Sequence, residues 1–275
     1  MEIISPLLHG DFFDSISYHD YIKDEIKGKG DNMNNDWLSQ EPIAHRGFHW
    51  QDGIDENSYE AFKLAIEKNR PIECDLHLSR DGEVFIHHDA SLERMSAKAL
   101  KIAELSSSEL RKVRTFHSDR PIMSLKELLA MVHDQVPLVL EVKRTLPNNL
   151  LEKRVLELIS TYKGRYSLQS FHPLSLLFLR NQAPKAVLGM LIGEESLGHL
   201  IWGQRVLLKS LALSHVIKPQ YIAQEWSGLH KRAPQELRER LEIPLLAWTV
   251  KDERSLRISR KYADGIIYEN IDNLL

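Results

Sequence analysis

The residues of this 275-residue chain best suited to chemistry gather in one stretch, Glu73 to Asp89, which reads ECDLHLSRDGEVFIHHD. Asp81-Gly82 in its middle is the strongest short signal for a two-residue hairpin turn, because glycine accepts the positive φ that such a turn demands. Leu, Val, Phe and Ile on the flanks suit strands. With Arg80 paired to Glu83, counting outward sets Asp75 opposite His88. Side chains alternate along a strand, so Glu73 and Asp75 share a face and Cys74 points the other way as a small apolar filler. Two carboxylates and an imidazole therefore meet on one surface, a combination suited to gripping a cation and moving a proton.

The elements that must position this stretch follow a βα rhythm from residue 42. Pro42–His45 is a short strand leading into the loop RGFHWQDGIDE. Asn57 or Ser58 caps a helix whose apolar positions Ala61, Phe62, Ala65 and Ile66 recur at helical spacing. Strand two runs from Ile72 to Asp75, and residues 83–88 are its returning arm. A looser region with a helix near Ser107–Lys112 precedes a helix at SLKELLAMVH, where Ser124 and Glu127 have capping-box spacing. No separate insertion domain is legible after the hairpin.

Further strands are expected at Pro137–Lys143, 166–171, 186–192, 213–217, 243–250 and Asp264–Tyr268. Helices between them are expected from Pro147 to Tyr162, Pro173 to Arg180, Ser196 to Lys209, Pro234 to Leu241 and Lys251 to Lys261. Eight strands alternating with helices predict a (β/α)8 TIM barrel. An open doubly wound sheet would carry a glycine-rich phosphate loop after its first strand, and HRGFHWQDG is a poor version of one. The barrel domain is set at residues 37–275, after an acidic N-terminal extension of residues 1–36.

Charge is uneven: nine acids and three lysines fall in residues 1–41, against a net −3 for the whole chain. Such a balance excludes a basic nucleic-acid-binding surface and makes the lead segment a poor anchor on anionic lipid. A single cysteine allows no intrachain disulfide and fits a reducing compartment. With no signal-peptide pattern at the N-terminus and no apolar run long enough to cross a bilayer, the chain reads as soluble and cytoplasmic. Its oligomeric state is not legible.

Active sites of such barrels form at the C-terminal ends of the strands. Those ends carry His45, Arg46, Glu73, Asp75, Glu141, Lys143, Ser170, Trp248, Tyr268 and Glu269, with His88 on the returning arm. Glu73 and Asp75 lie on a strand covered on both faces, where an unpaired carboxylate is costly and a bound cation removes the cost. Glu141 serves either as a third ligand or as the ion-pair partner of Lys143. His49, His77, His87 and His172 receive the plain reading of core or surface residues. Trp248 divides evenly between core and substrate wall. Carboxylate ligands suit Mg2+ or Ca2+ rather than zinc, and Arg46 and Lys143 suit a phosphate-bearing anion. Two histidines on opposite sides fit acid and base roles in breaking a P–O bond.

The segments IAHRGFHWQDGIDENSYEAFKLAI, IECDLHLSRDGEVFIHHDASLERM, IMSLKELL, LVLEVK, LQSF, LLAWTV and ADGIIYEN resemble, in that order, the glycerophosphodiester phosphodiesterase family from about Ile43 to Asn270. The resemblance implies His45 and His88 as the acid/base pair. It implies Glu73, Asp75 and Glu141 as ligands of one divalent cation, and Arg46 and Lys143 as phosphate contacts. Trp248 joins the substrate residues, and Glu56 stays open between a supporting and a substrate-loop role. Where many members read D-G-I-I-T-D, this chain has Tyr268 and Glu269 after Ile267, a change expected at the pocket rim. The implied reaction is hydrolysis of a deacylated phospholipid to glycerol 3-phosphate and an alcohol. The alternatives are a lysophospholipase D acting on acylated substrates and a retired barrel that binds phosphodiesters without cutting them. A metal amidohydrolase on the same fold would need an H-x-H pair on the first strand, which is missing.

Overall fold

The computed structural model describes residues 35–51, 53–144, 148–193, 214 and 216–275. Nine strands form the sheet: β1 (Ile43–Ala44), β2 (Ile72–Leu78), β3 (Val84–Ile86), β4 (Leu138–Val142), β5 (Tyr166–Ser170), β6 (Leu188–Ile192), β7 (Tyr221–Glu225), β8 (Leu245–Val250) and β9 (Gly265–Tyr268). All pair in parallel except β3, which runs antiparallel on β2. Because β1 bonds both β9 and β2, the sheet closes on itself, giving an eight-stranded parallel barrel with β3 as an appended arm. This is the expected TIM barrel.

The helices among the described residues are α1 (Trp37–Gln40) at one end of the barrel and, around it, α2 (Tyr59–Glu67), α3 (Glu93–Ser96), α4 (Ser107–Leu110), α5 (Leu125–Val132), α6 (Leu150–Ser160), α7 (Pro173–Gln182), α8 (Arg232–Leu241) and α9 (Glu253–Tyr262). The Ser124/Glu127 capping box of α5 forms as expected. At α2 the cap is Ser58, whose hydroxyl accepts from the Ala61 N–H. Asn57 is thereby free for another task. The outward face of the strands, with Cys74, Leu76, Leu140 and Leu168, packs under these helices in the main apolar layer. Inside the barrel, Ile43, Val139, Tyr221, Leu246 and Ile267 form a second cluster, plugged at the N-terminal end by Trp37 and Leu38 of α1. Gly265 permits that plug, since a β-carbon there would lie 2.5 Å from the Leu38 carbonyl oxygen.

Three expectations are corrected. First, the strand placed at 213–217 is not one: Ser214, Val216 and Ile217 are helical, and the strand is Tyr221–Glu225. Burial between β6 and β8 overrides the weak strand preference of Ala-Gln-Glu. Second, the hairpin is shifted by one residue. Leu78 pairs with Val84 and Leu76 with Ile86, so His87, not His88, stands opposite Asp75 and donates its N–H to the Asp75 carbonyl at 3.0 Å. The loop holds three residues rather than two, with Gly82 at φ +86 and the Ser79 hydroxyl bonding both Asp81 and the Glu83 N–H. Third, Tyr268 does not face the mouth; it is fully buried in the outer layer with its hydroxyl donating to Asp272. Alternation leaves Ile267 and Glu269 on the inner side. The helix expected over 196–209 and the Pro147 helix start lie outside the described residues. Between the hairpin and α5, Phe85, Leu92, Ile102, Leu110, Val113 and Ile122 form a small cluster of their own.

Candidate active site

Register assembles the acidic centre. Asp75 pairs with Glu141 and Glu141 with Gln169 on adjacent strands, so all three project inward at one level, with Glu73 one inward step below. Carboxylate oxygens of Glu73, Asp75 and Glu141 lie within 4.8 Å of one another, and all three residues are buried. Beneath them, Tyr221 donates to Gln169 at 3.2 Å and Gln169 donates to Glu73 at 3.4 Å. Gly189 makes room for that tyrosine ring, which a side chain there would strike.

Two cations and one amide answer these charges. Lys143 Nζ lies 3.0 Å from Asp75 Oδ1 and 2.8 Å from Glu141 Oε1. Arg46 Nε lies 3.5 Å from Asp75, while its Nη1 donates to Glu56 at 2.9 Å. Asn57, spared from capping, donates Nδ2–H to Asp75 at 2.8 Å. Arg46 itself holds a left-handed backbone (φ 55), which turns its N–H toward Glu73 at 3.1 Å. Gly47 follows at φ +79, and a β-carbon there would come within 2.9 Å of Ala61, so glycine at 47 is a backbone requirement of this corner.

Burial, then repulsion from Asp75 and Glu141, pushes the Glu73 carboxyl well above its usual range. Burial likewise lifts Glu141 to about 7 in spite of Lys143. For Asp75 the balance reverses: burial raises it, but Lys143 and Arg46 outweigh that and hold it far below the carboxylate range. Two cations therefore do not neutralise three buried acids. An all-oxygen set of this kind fits a hard divalent cation, which draws both raised carboxyls back to their charged form.

The histidines flank this centre. His45 Nδ1 sits 2.6 Å from Glu269 Oε1 and its Nε2 lies 3.9 Å from Glu73 Oε2. Burial pushes its pKa down and the bond to Glu269 opposes that. His88 Nδ1 sits 2.7 Å from Asp89 Oδ1, and burial lowers it against the pull of Asp75. Although the register slip moves His88 off the position facing Asp75, the two remain electrostatic neighbours. His77, buried below, bonds the His88 carbonyl through Nε2 at 3.0 Å and thereby braces the arm. Trp248 is half-buried on the inner side, edge-on to Phe171 at 5.5 Å, and its Nε1 has no hydrogen-bond partner among the described residues. Ser170 spends its hydroxyl on the Val142 carbonyl and contributes no free group.

Four residues at this site escaped the reading of the sequence. Glu269 was legible only as a strand-end residue, Asn57 only as a cap, and Gln169 sat unremarked inside LQSF. Asp89 adjoins His88, and its other oxygen takes a 2.6 Å bond from Arg94, which also grips Glu56 at 2.6 Å. Glu56 is thus held between Arg46 and Arg94.

Comparison with known proteins identifies the family and supports the fold. A model of the glycerophosphoryl diester phosphodiesterase family matches residues 45–273. A glycerophosphodiester phosphodiesterase of Caldanaerobacter subterraneus is 25% identical over 248 residues, covering 85% of this chain and 95% of that one. The crystal structure of a glycerophosphodiester phosphodiesterase from Thermotoga maritima superposes with a TM-score of 0.66 at 26% identity, over 82% of this chain and 92% of that one. A phosphodiesterase of Oleispira antarctica, solved with sn-glycerol-3-phosphate, shares the fold at a TM-score of 0.70 and 20% identity, over 83% and 92% of the two chains. With its barrel closed, its acids gathered at the mouth and the family pattern running almost from one end of the barrel to the other, the chain belongs to the glycerophosphoryl diester phosphodiesterase family.

Proposed function

We propose that this mouth hydrolyses glycerophosphodiesters, the deacylated forms of phospholipids, to glycerol 3-phosphate and an alcohol. The convergence of Glu73, Asp75 and Glu141 between two imidazoles and beside two cations is the observation that carries this reading. Arg46 and Lys143 supply positive charge for the non-bridging oxygens of the phosphodiester. One imidazole takes a proton from water, or from the glycerol hydroxyl beside the phosphate through a cyclic intermediate that water then opens. The other imidazole returns a proton to the departing alcohol. Glu73, Asp75 and Glu141 would hold a divalent cation, Mg2+ or Ca2+ by the oxygen character of the set, and that ion supplies charge neutralisation at the phosphate. Trp248 and Phe171 form the wall against which the alcohol portion rests. Cys74, buried and unpaired, suits a reducing compartment such as the cytoplasm.

Glycerol 3-phosphate release from glycerophosphocholine, with Mg2+ or Ca2+ and again with chelator, tests the reading. Turnover that chelator removes and metal restores is expected. Release only from an acylated lysophospholipid would make the chain a lysophospholipase D, and binding without release a retired barrel.

A further inference from the structure

Glu269 has no part in the reaction described so far, yet at 2.6 Å it makes the shortest polar contact of either candidate catalytic imidazole among the described residues. Its place follows from barrel closure. On the β1–β9 ladder Ile43 pairs with Ile267 and Ala44 with Tyr268, so the next step sets His45 beside Glu269. Backbone bonds clamp both residues: the His45 N–H donates to the Tyr268 carbonyl at 3.1 Å and the Glu269 N–H to the Val250 carbonyl at 2.9 Å. The carboxylate then meets His45 Nδ1 at 2.6 Å, with His49 Nε2 at 3.6 Å as a second imidazole neighbour. A carboxylate only accepts, so a neutral His45 in this bond carries its proton on Nδ1 and presents the Nε2 lone pair to the acidic centre, toward Glu73. Glu269 lies outside the group of acids that could share a cation.

We propose that Glu269 is the positioning residue of His45, fixing the tautomer and aim of that imidazole so that Nε2 can accept a proton and the resulting imidazolium is stabilised. This rests on the phosphodiesterase reading and adds a member to its machinery. Asp89 holds His88 in the same way at 2.7 Å, but its charge is shared with Arg94, so its removal matters less. The competing view is that Glu269 merely ties the loop carrying His45 and His49 to β9.

The test is steady-state hydrolysis of glycerophosphocholine by the full chain with Mg2+, for the parent protein and for Glu269→Gln, Glu269→Asp, His45→Ala and the double variant His45→Ala/Glu269→Gln. In a Ser-His-Asp triad the corresponding carboxylate-to-amide change costs about 10⁴ in kcat. Here Glu269→Gln should lower kcat by about 10²–10⁴ with KM within about threefold, and Glu269→Asp should recover at least about tenfold of the loss. The double variant should be no slower than His45→Ala, because the carboxylate acts through that ring. A kcat for Glu269→Gln within about threefold of the parent, or losses that multiply in the double variant, would overturn the proposal. The ¹⁵N shifts of His45 give a readout independent of turnover: Nδ1-protonated in the parent and mixed in Glu269→Ala. An unchanged tautomer in that variant also overturns it. Should the parent release no glycerol 3-phosphate, or His45→Ala match it, the phosphodiesterase reading fails, while the tautomer still decides what Glu269 does.

Discussion

Strands β2 and β4 turn Glu73, Asp75 and Glu141 into the barrel, whereas the matching inward positions of β5 to β8 carry Gln169, Gly189, Tyr221, Ala223 and Leu246. One wall is charged and, at the same level and among the described residues, the facing wall is neutral, with Glu225 the next inward residue of β7. With no cation across the barrel among the described residues, the acids depend on Lys143, Arg46 and Asn57 beside them, and these leave Glu73 and Glu141 with carboxyls above their ordinary range. The proposed function assigns the chemistry to the charged half and leaves the other half to shape and support it. Substitutions in the two halves should therefore differ in kind as well as in size.

The largest effect is expected on the charged wall. Asp75→Asn or Glu73→Gln should reduce turnover by about 10³ or more, since each removes a candidate ligand on which the reaction centre depends. The same substitution at Glu73 should raise the melting temperature of chelated protein by a few degrees, about 1 kcal/mol, because it removes a carboxyl that burial and two neighbouring acids hold well above its usual range, a cost the amide does not carry. A chelated variant that melts lower than its parent would break the contrast. Next, His88→Ala should cost about 10²–10⁴ in kcat; near-parental turnover would remove His88 from the scheme.

On the neutral wall the expected changes are smaller. Trp248→Ala deletes the partner of Phe171 and should cost about tenfold in kcat/KM, mostly through KM, with metal affinity unchanged. A loss as large as that of Asp75→Asn would place Trp248 among the reacting groups. The smallest effect belongs to the outer frame. Asp252 caps α9 in a reciprocal box with Ser255, and Asp252→Ala should cost about 1 kcal/mol of stability with kcat untouched. Hydrogen bonds from Ser255 hold the Asp252 carboxyl below its usual 3.8. Because the folded pKa is depressed, this contribution is present above about pH 4 and fades as pH falls through the folded value. Melting curves of parent and variant should therefore converge in acid.

The same division governs what the sequence made legible. Local signals placed the charged wall: a carboxylate two residues from another, a histidine beyond a glycine turn, and Glu-x-Lys on the next strand all survive as a cluster. Where the signal was local but incomplete, the reading slipped by one residue. Asp81-Gly82 announces a two-residue turn, yet the Ser79 hydroxyl bonds Asp81 and Glu83 and adds a third loop residue. Strand β7 was missed because Tyr221–Glu225 ends in polar residues and owes its extended form to neighbours on both sides. Glu269 lies 224 residues from His45, and only closure of β9 onto β1 brings them together. Long-range closure leaves no trace in spacing. Asn57 was hidden by a nearer explanation, since Ser58 beside it could cap and does.

Titration of chelator-stripped protein with Mn2+, followed by electron paramagnetic resonance, asks the central question most directly. The charged wall should take up one ion per chain, and Asp75→Asn and Glu141→Gln should each abolish or sharply weaken that uptake while the fold is kept. Parent protein that takes up no ion, or an Asp75→Asn variant that binds as the parent does, would contradict the account.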